Sequence, residues 1–500
     1  MRSFFYPGNG NEVRELGVGI DPKNSNILVI GCGAVGRCCL PMLLRELDLE
    51  PASVRVVDCL DNRHFIADLI QQGVVFEQLR LTPDTMHEIL SARLSGGDLL
   101  IDLGWNIETK SVLEWCRAHD VLYINTSVEV WDPYADTLRC DPRPYTLYRR
   151  QMDIRAMVRD WQSNAGPTAV LDHGANPGLV SHFTKKALLD LTARAIERES
   201  RPELRRGLED AHGRRDFAQL AQLSGTKVIH ISERDTQLAT QPREVNEFVN
   251  TWSVEGLYEE GVAPSEMGWG THEEEMPADG VAFEDGPRNV ICLRSLGVNT
   301  WARSWVPSGP IVGMVIRHGE AFGISDRLTV WNGDRAIYRP TVHYVYCPSD
   351  SAIASVHELR MREYKLQEKQ RILADEISSG WDELGVLLMG HSLNGWWTGS
   401  VLDIDQARRL APGQNATTVQ VACSVVAAAK WILKNPRRGI CLPDDIDHDE
   451  ILSVAMPYLG KFVSEQVLWD PLHDSGRSLR SFGGAVPQPE KRWQFSTFRV

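Results

Sequence analysis

The sequence predicts an α/β protein: a Rossmann-type, doubly wound parallel sheet plus a second α+β domain, with C-terminal helices packing back on the first. Three observations carry this. Short β-branched runs alternate with helical ones from about residue 26 to 175. A glycine fingerprint, Gly31-Cys32-Gly33-Ala34-Val35-Gly36, sits between the first run and the first helix. Beyond it the pattern turns irregular, then helical in the last third. Such alternation builds a parallel sheet covered on both faces.

Asn26 to Ile30 reads as the first buried strand, and Val35 to Leu47 carries apolar residues at helical spacing. Val54 to Asp58 is a second strand, and Val74-Val75-Phe76 begins a third. Asp98 to Asp102, a helix over Glu108 to His119, and Val121 to Asn125 follow, and Thr168 to Asp172 closes the series. The middle holds acidic Gly/Pro turns, as in Glu259 to Gly280, and strand-like runs at Thr226 to Ser232 and Ile311 to Arg317. Thr417 to Leu433 is apolar nearly all round and reads as a buried helix. The expected division is an NAD-binding domain over 20–178 and a substrate and dimerisation domain over 179–389. A helical segment over 390–475 then completes the first domain, and 476–500 is a tail or a partner-contacting arm.

With 500 residues, more than one core is expected. The ten cysteines form no Cys-x-x-Cys pair, which fits reduced core thiols in the cytoplasm. No apolar run approaches the roughly 18 residues needed to cross a bilayer, and Met1 to Asn26 lacks the layout of a secretory signal. Asn415-Ala416-Thr417, formally a glycosylation acceptor, carries no meaning in that compartment. The net charge of −14 argues against nucleic acid and suits a cationic substrate.

In the fingerprint, Gly31 permits the tight turn, Gly33 lets backbone approach a pyrophosphate, and Gly36 packs helix on strand. Ala34 and Val35 begin the helix whose free N–H groups meet the phosphates. Asp58 ends the second strand 22 residues after Gly36, placed to bind adenosine ribose hydroxyls and repel a 2′-phosphate. NAD is favoured, and nearby Arg63 leaves NADP open. Ligands in such folds sit at the carboxyl ends of strands. Those ends carry Gly104, then Thr126, Ser127 and Glu129, then Asp172-His173-Gly174-Ala175-Asn176-Pro177-Gly178.

The fingerprint, the Asn125-Thr126-Ser127-Val128-Glu129 turn and the Asp172 to Gly178 segment resemble the saccharopine dehydrogenase superfamily. His230 to Gln237, Asn250 to Gly256, Gly268 to Glu273 and Arg317-His318-Gly319-Glu320 narrow the resemblance to the bacterial homospermidine synthases, over roughly residues 20 to 470. It implies a redox-neutral aminobutyl transfer with tightly held NAD. Putrescine is oxidised to an imine, a second putrescine attacks, ammonia leaves, and the new imine is reduced to homospermidine. Spermidine serves as an alternative donor, and the family is expected to be homodimeric.

A diamine needs carboxylates at its ends, an aromatic surface between them and a way to move protons. By resemblance, Glu233 and Glu260 hold ammonium groups, one of them aiding deprotonation. Trp252 lies against the cation, a contact worth about 0.5–1 kcal/mol exposed and about 2 or more desolvated. His318 suits a proton relay. Asn176 bonds the reacting nitrogen or the carboxamide, and Glu129 binds the distal amine. If the 259–260 stretch is extended, Glu259 and Glu260 face opposite sides and only one serves the pocket. His272 with Glu273 to Glu275 lacks zinc-site spacing and reads as a loop, so no metal is expected. Lys185 and Lys186 read as solvated helix residues outside the site.

Two other readings compete. A saccharopine or carboxynorspermidine dehydrogenase-like enzyme with free nicotinamide turnover would need an Arg- or Lys-lined pocket. A non-catalytic NAD-binding sensor would not need Glu, Trp, His and Asn gathered where hydride transfer is expected.

Overall fold

Seven short strands form a parallel sheet in the computed structural model, which describes residues 19–134, 141–472 and 488–500. Their order is Ile440–Cys441, Ala169–Val170, Leu122–Asn125, Leu99–Asp102, Ile27–Ile30, Val54–Asp58 and Val75–Gln78. Every pairing is parallel. Strands covered on both faces read as unbroken apolar runs, and Ile27–Ile30, Leu99–Asp102 and Leu122–Asn125 are buried throughout. The strand order reverses between Ile27–Ile30 and Leu99–Asp102, and that crevice is where such sheets bind ligands.

A larger mixed sheet follows. At its centre Val228–Asp235 runs parallel to Thr341–Cys347 on one side and antiparallel to Trp381–Met389 on the other. The register sets Glu233 opposite Tyr346 and Leu384, and Asp235 opposite Asp382. Strand alternation puts Ile229, Ile231, Glu233 and Asp235 on one face, and His230 and Ser232 on the other. The second face is closed by the C-terminal residues, with Phe498 edge-on to His230 and Phe495 edge-on to His343.

The 390–475 segment is not simply helical. Gly395–Asp403 pairs with Trp381–Met389 and Lys461–Val467 pairs with Gly395–Asp403, so both strands extend the second sheet. Trp396, Trp397 and Val463 are buried on these strands, and such tertiary packing overrides any local helical signal. Helix Ala416–Lys434 and strand Ile440–Cys441 do join the first layer, the helix packing on Ala34–Glu46. That helix is long and apolar enough to cross a membrane, but 89% of its apolar window is buried within the protein. Of the expected tail, 488–500 folds back: Arg499 pairs doubly with Asp279, and the Phe495 N–H donates to Glu273. Residues 473–487, and 1–18 at the other end, lie outside the described residues.

Lys185 is buried rather than solvated, its Nζ donating to the carbonyls of Pro443 and Ile446. Lys186 pairs with Asp190, one turn along the same helix. Glu259 and Glu260 sit in a helix, Val254–Val262, so they diverge by about a third of a turn instead of facing opposite ways.

Candidate functional site

The glycine loop is shaped by exclusion. A Cβ on Gly31, at φ +94°, would lie 2.7 Å from the Leu103 carbonyl oxygen, and one on Gly36 would lie 2.1 Å from the Gly31 oxygen. A Cβ on Gly33 would meet nothing within 4 Å. Gly33 is also the N-cap of helix Ala34–Glu46 and supplies no side-chain cap, so open space meets free N–H groups. Such a loop has the space and the donors that a pyrophosphate would need. Asp58 Oδ2 accepts from the Cys32 N–H at 2.6 Å and Oδ1 from the Leu60 N–H at 2.7 Å, which fixes the carboxylate at the strand end. Arg63 is drawn instead to Asp61 at 2.6 Å. Gly104, Thr126 and Ser127 lie just past the adjacent strands Leu99–Asp102 and Leu122–Asn125. Ser127 already donates to Glu129 at 2.7 Å.

The amine-site candidates come from four separate stretches of chain and meet through two tyrosines. Asn176 Nδ2 donates to Glu233 Oε2 at 2.8 Å, and the Tyr344 hydroxyl donates to the same oxygen. Oε1 of Glu233 remains available to a ligand. Tyr344 stacks on Tyr346, with centroids 5.3 Å apart. The Tyr346 hydroxyl accepts from Trp252 Nε1 at 2.9 Å. The indole is pinned from below as well, because a Cβ on Gly256 would come within 2.6 Å of Trp252 Cζ3. His318 meets the Tyr344 ring edge-on at 4.4 Å, and its Nε2 lies 3.7 Å from Glu260 Oε2. Asn176, Glu233, Trp252, His318 and Glu260 thus form one contiguous cluster.

Its electrostatics are those of desolvated acids. Burial is the largest effect on Glu233 and pushes its carboxyl up to about 8, against the pull of Tyr344 and Asn176. Burial also raises Glu260 well above the ordinary carboxylate range and lowers His318 to about 3, so that imidazole is neutral. Glu260 Oε2 is buried without a hydrogen-bond partner.

Glu129 is more encumbered than the sequence suggested. Besides Ser127, it has Arg150 at 3.7 Å, and burial lifts its carboxyl to about 7. Arg150 also pairs with Glu259 at 2.6 Å, and Arg317 closes on the same carboxylate. Glu259 is therefore the neutralised member of the adjacent pair, and Glu260 is the one left beside His318.

Two carboxylates escaped the sequence reading. Glu320 is 2% exposed, and neither of its oxygens has a partner. Burial is the main cause that raises its carboxyl, with Asp172, Asp444 and Glu233 adding to it, and Glu320 in turn adds to the rise of Glu260. Its signal was its place in Arg317-His318-Gly319-Glu320. Asp382 is fully buried on the Glu233 face, and its Oδ1 has no partner. Nothing local in the sequence marks it, since only the strand register brings it there. Tyr344 and Tyr346 were missed for the same reason.

Residues 27–170 match the saccharopine dehydrogenase NADP binding domain, and 174–467 match the saccharopine dehydrogenase C-terminal domain. A homospermidine synthase of Blastochloris viridis is 39% identical over 483 residues, covering 95% of this chain and 97% of that protein. One of Mesorhizobium japonicum is 38% identical over 453 residues, covering 89% and 91%. The structure of the Legionella pneumophila homospermidine synthase in complex with NAD superposes with a TM-score of 0.84 at 35% identity, covering 96% of this chain and 99% of that one.

Proposed function

The chain belongs to the homospermidine synthase family, and from that premise we propose how its residues run the reaction. Two putrescines become homospermidine and ammonia with no net oxidation. Bound NAD would supply the hydride acceptor for the first amine carbon and the hydride donor for the new imine. The glycine loop and Asp58 suit that cofactor, the 31–36 turn taking the pyrophosphate and Asp58 the ribose.

The observation that carries the reading is a set of desolvated carboxylates with bare oxygens: Glu233, Asp382, Glu320 and Glu260. A buried acid without a partner is costly unless a cation arrives to compensate it. The two nearby arginines, Arg150 and Arg317, are both committed to Glu259. Among the described residues neither is left free for a substrate carboxylate, which argues against the dehydrogenase-like alternative. The sensor alternative leaves the gathered acids without a purpose.

Hydride can leave only from a carbon beside a neutral amine, so an ammonium first gives up a proton. Glu233 Oε1 is the acceptor, with Asn176 and Tyr344 holding Oε2 so that the carboxyl cannot turn. An acid near 8 exchanges protons with an amine near 10 far more readily than an ordinary carboxylate does. Trp252 lies against the cationic imine and retains it while neutral ammonia departs. Glu260, kept protonated by burial, carries the second proton, and His318, too weakly basic to relay it as the sequence suggested, stands 3.7 Å away as a neutral neighbour. Glu129 holds the distal ammonium with its charge tempered by Arg150. Spermidine fits the same row of acids as donor.

Within the same proposal the protein acts in the cytoplasm as a homodimer. The nine described cysteines are unpaired thiols, in keeping with that compartment. Sedimentation velocity tests the dimer.

The deciding experiment incubates the protein with putrescine and NAD and follows ammonia, homospermidine and NADH absorbance. Ammonia and homospermidine in equal amounts without accumulating NADH are expected. NADH rising with turnover would overturn the proposal in favour of an ordinary amine dehydrogenase.

A further inference from the structure

Asp235 and Asp382 are register partners on neighbouring strands, both buried, yet they are treated differently. Asp235 is saturated: Oδ1 accepts from the Gln237 N–H at 2.8 Å and from Gln237 Nε2 at 3.1 Å, and Oδ2 accepts from the Thr251 hydroxyl at 2.6 Å. Asp382 has one donor. The Thr417 hydroxyl reaches its Oδ2 at 2.5 Å, and Oδ1 has none.

That single bond has a fixed direction. Thr417 lies in the first turn of helix Ala416–Lys434. The Ala416 N–H at the helix start donates to Gln237 Oε1 at 2.9 Å, which dictates which end of the amide is NH2. The amide nitrogen then donates to Thr417 Oγ1 at 3.1 Å. With its oxygen accepting from Gln237, Thr417 spends its own proton on Asp382 Oδ2. The helix start is held as well: Asn415 caps it by accepting from the Thr418 N–H at 2.8 Å and donates to the Thr251 carbonyl, next to Trp252, at 2.6 Å.

The geometry points to Thr417 as a positioning residue: it commits Asp382 Oδ2 as an acceptor, so that Oδ1 is the one oxygen left to take an amine or its proton. Gln237 acts one step further back, by aiming Thr417. A helix belonging to the cofactor layer thereby sets the orientation of an acid on the substrate sheet. This inference rests on the amine-site reading above. The groups facing Asp382 are Glu233 and Asp235 on one neighbouring strand, Tyr344 and Tyr346 beyond them, and Glu383 beside it in sequence. The first turn of the helix, Ala416-Thr417-Thr418-Val419, brings no ionisable group. A hydroxyl that donates to the charged form favours it, and its removal moves titration upward.

The test compares Thr417→Val, which keeps the shape, with Thr417→Ser, which keeps the hydroxyl. Turnover of putrescine and its binding to the NAD-loaded protein, by calorimetry, are both followed from pH 6 to 10. Thr417→Val is expected to move the acidic limb of both profiles up by about one pH unit. At pH 7 its kcat/KM falls roughly tenfold, mostly in KM, with NAD affinity unchanged. Thr417→Ser restores the wild-type limb. Should Thr417→Val fail to fold, Gln237→Met is expected to give the same shift at smaller size, since it frees the hydroxyl to turn. An unshifted limb in either variant, or a serine variant as impaired as the valine one, overturns the inference while the wild-type enzyme still turns over putrescine. A wild-type protein that neither binds nor converts putrescine overturns the amine-site reading, and this inference with it.

Discussion

The two proposed ligand regions solve opposite problems by opposite means. The cofactor loop offers backbone N–H groups and empty space, and its one carboxylate, Asp58, accepts at both oxygens before any ligand arrives. The proposed amine site offers side chains from distant stretches, and its carboxylates are buried with oxygens left bare. An anionic pyrophosphate can be met by a helix start that exists for other reasons. A dication that must lie at a hydride site needs more than the main-chain carbonyls that hold Lys185, because carbonyls neither neutralise its charge nor take up a proton. Acids must be placed for it, and their desolvation weighs on the protein until the amine binds.

If the regions are separable, damage to one should leave the other intact. The largest effect is expected from Glu233→Gln, which keeps shape and hydrogen bonding but removes the charge and the base. Its kcat/KM for putrescine should fall by about 10³, roughly 4 kcal/mol of transition-state stabilisation, while its Kd for NAD stays within about threefold of wild type. Steady-state kinetics beside a cofactor titration read both numbers. Loss of NAD binding in this variant would mean that the sites are one unit.

The converse damage sharpens the contrast. Gly33→Ala adds a methyl that meets no protein atom, so the fold should keep its melting temperature while NAD affinity drops by about 10–100-fold, through loss of close backbone approach. Gly31→Ala sets a methyl 2.7 Å from a carbonyl oxygen at a positive φ and should unfold at distinctly lower temperature. Equal melting temperatures for the two variants would break the assignment of space to ligand and constraint to fold.

The same contrast explains what the sequence made legible. The cofactor loop is a local pattern: strand, glycines, helix and acid fall within 32 residues, and periodicity alone locates them. In the amine site, Glu233, Trp252, Glu260 and His318 came from family resemblance, and their grouping came only from the fold. Asp382, Tyr344 and Tyr346 were invisible because strand register, not spacing, delivers them. Glu259 and Glu260 illustrate the cost of a wrong local conformation, since an extended stretch would alternate them and the helix does not. Lys185 looked solvated because its neighbour is. Its burial follows from the carbonyls of Pro443 and Ile446, some 260 positions away.

The smallest expected effect concerns stability without ligand. Burial raises Glu233 from 4.5 to about 8, so in the folded protein it is protonated where the unfolded chain is ionised. The native state then binds more protons between those values, and its stability falls as pH rises from about 4.5 through 8. Glu320, Glu260 and Asp382 are displaced in the same direction by the same cause. Glu233→Gln removes the penalty of ionising that acid. At pH 8 the ligand-free variant should be more stable than wild type by roughly 1–3 kcal/mol, and at pH 5 the two should coincide. Putrescine should erase the difference at pH 8, because the dication compensates the wild-type carboxylate and has no charge to meet in the variant. Urea unfolding of each protein at both pH values, with and without the diamine, measures these differences. A variant less stable than wild type at pH 8 would show Glu233 to be structurally compensated already, and would remove the distinction between a site completed by the protein and one completed by its substrate.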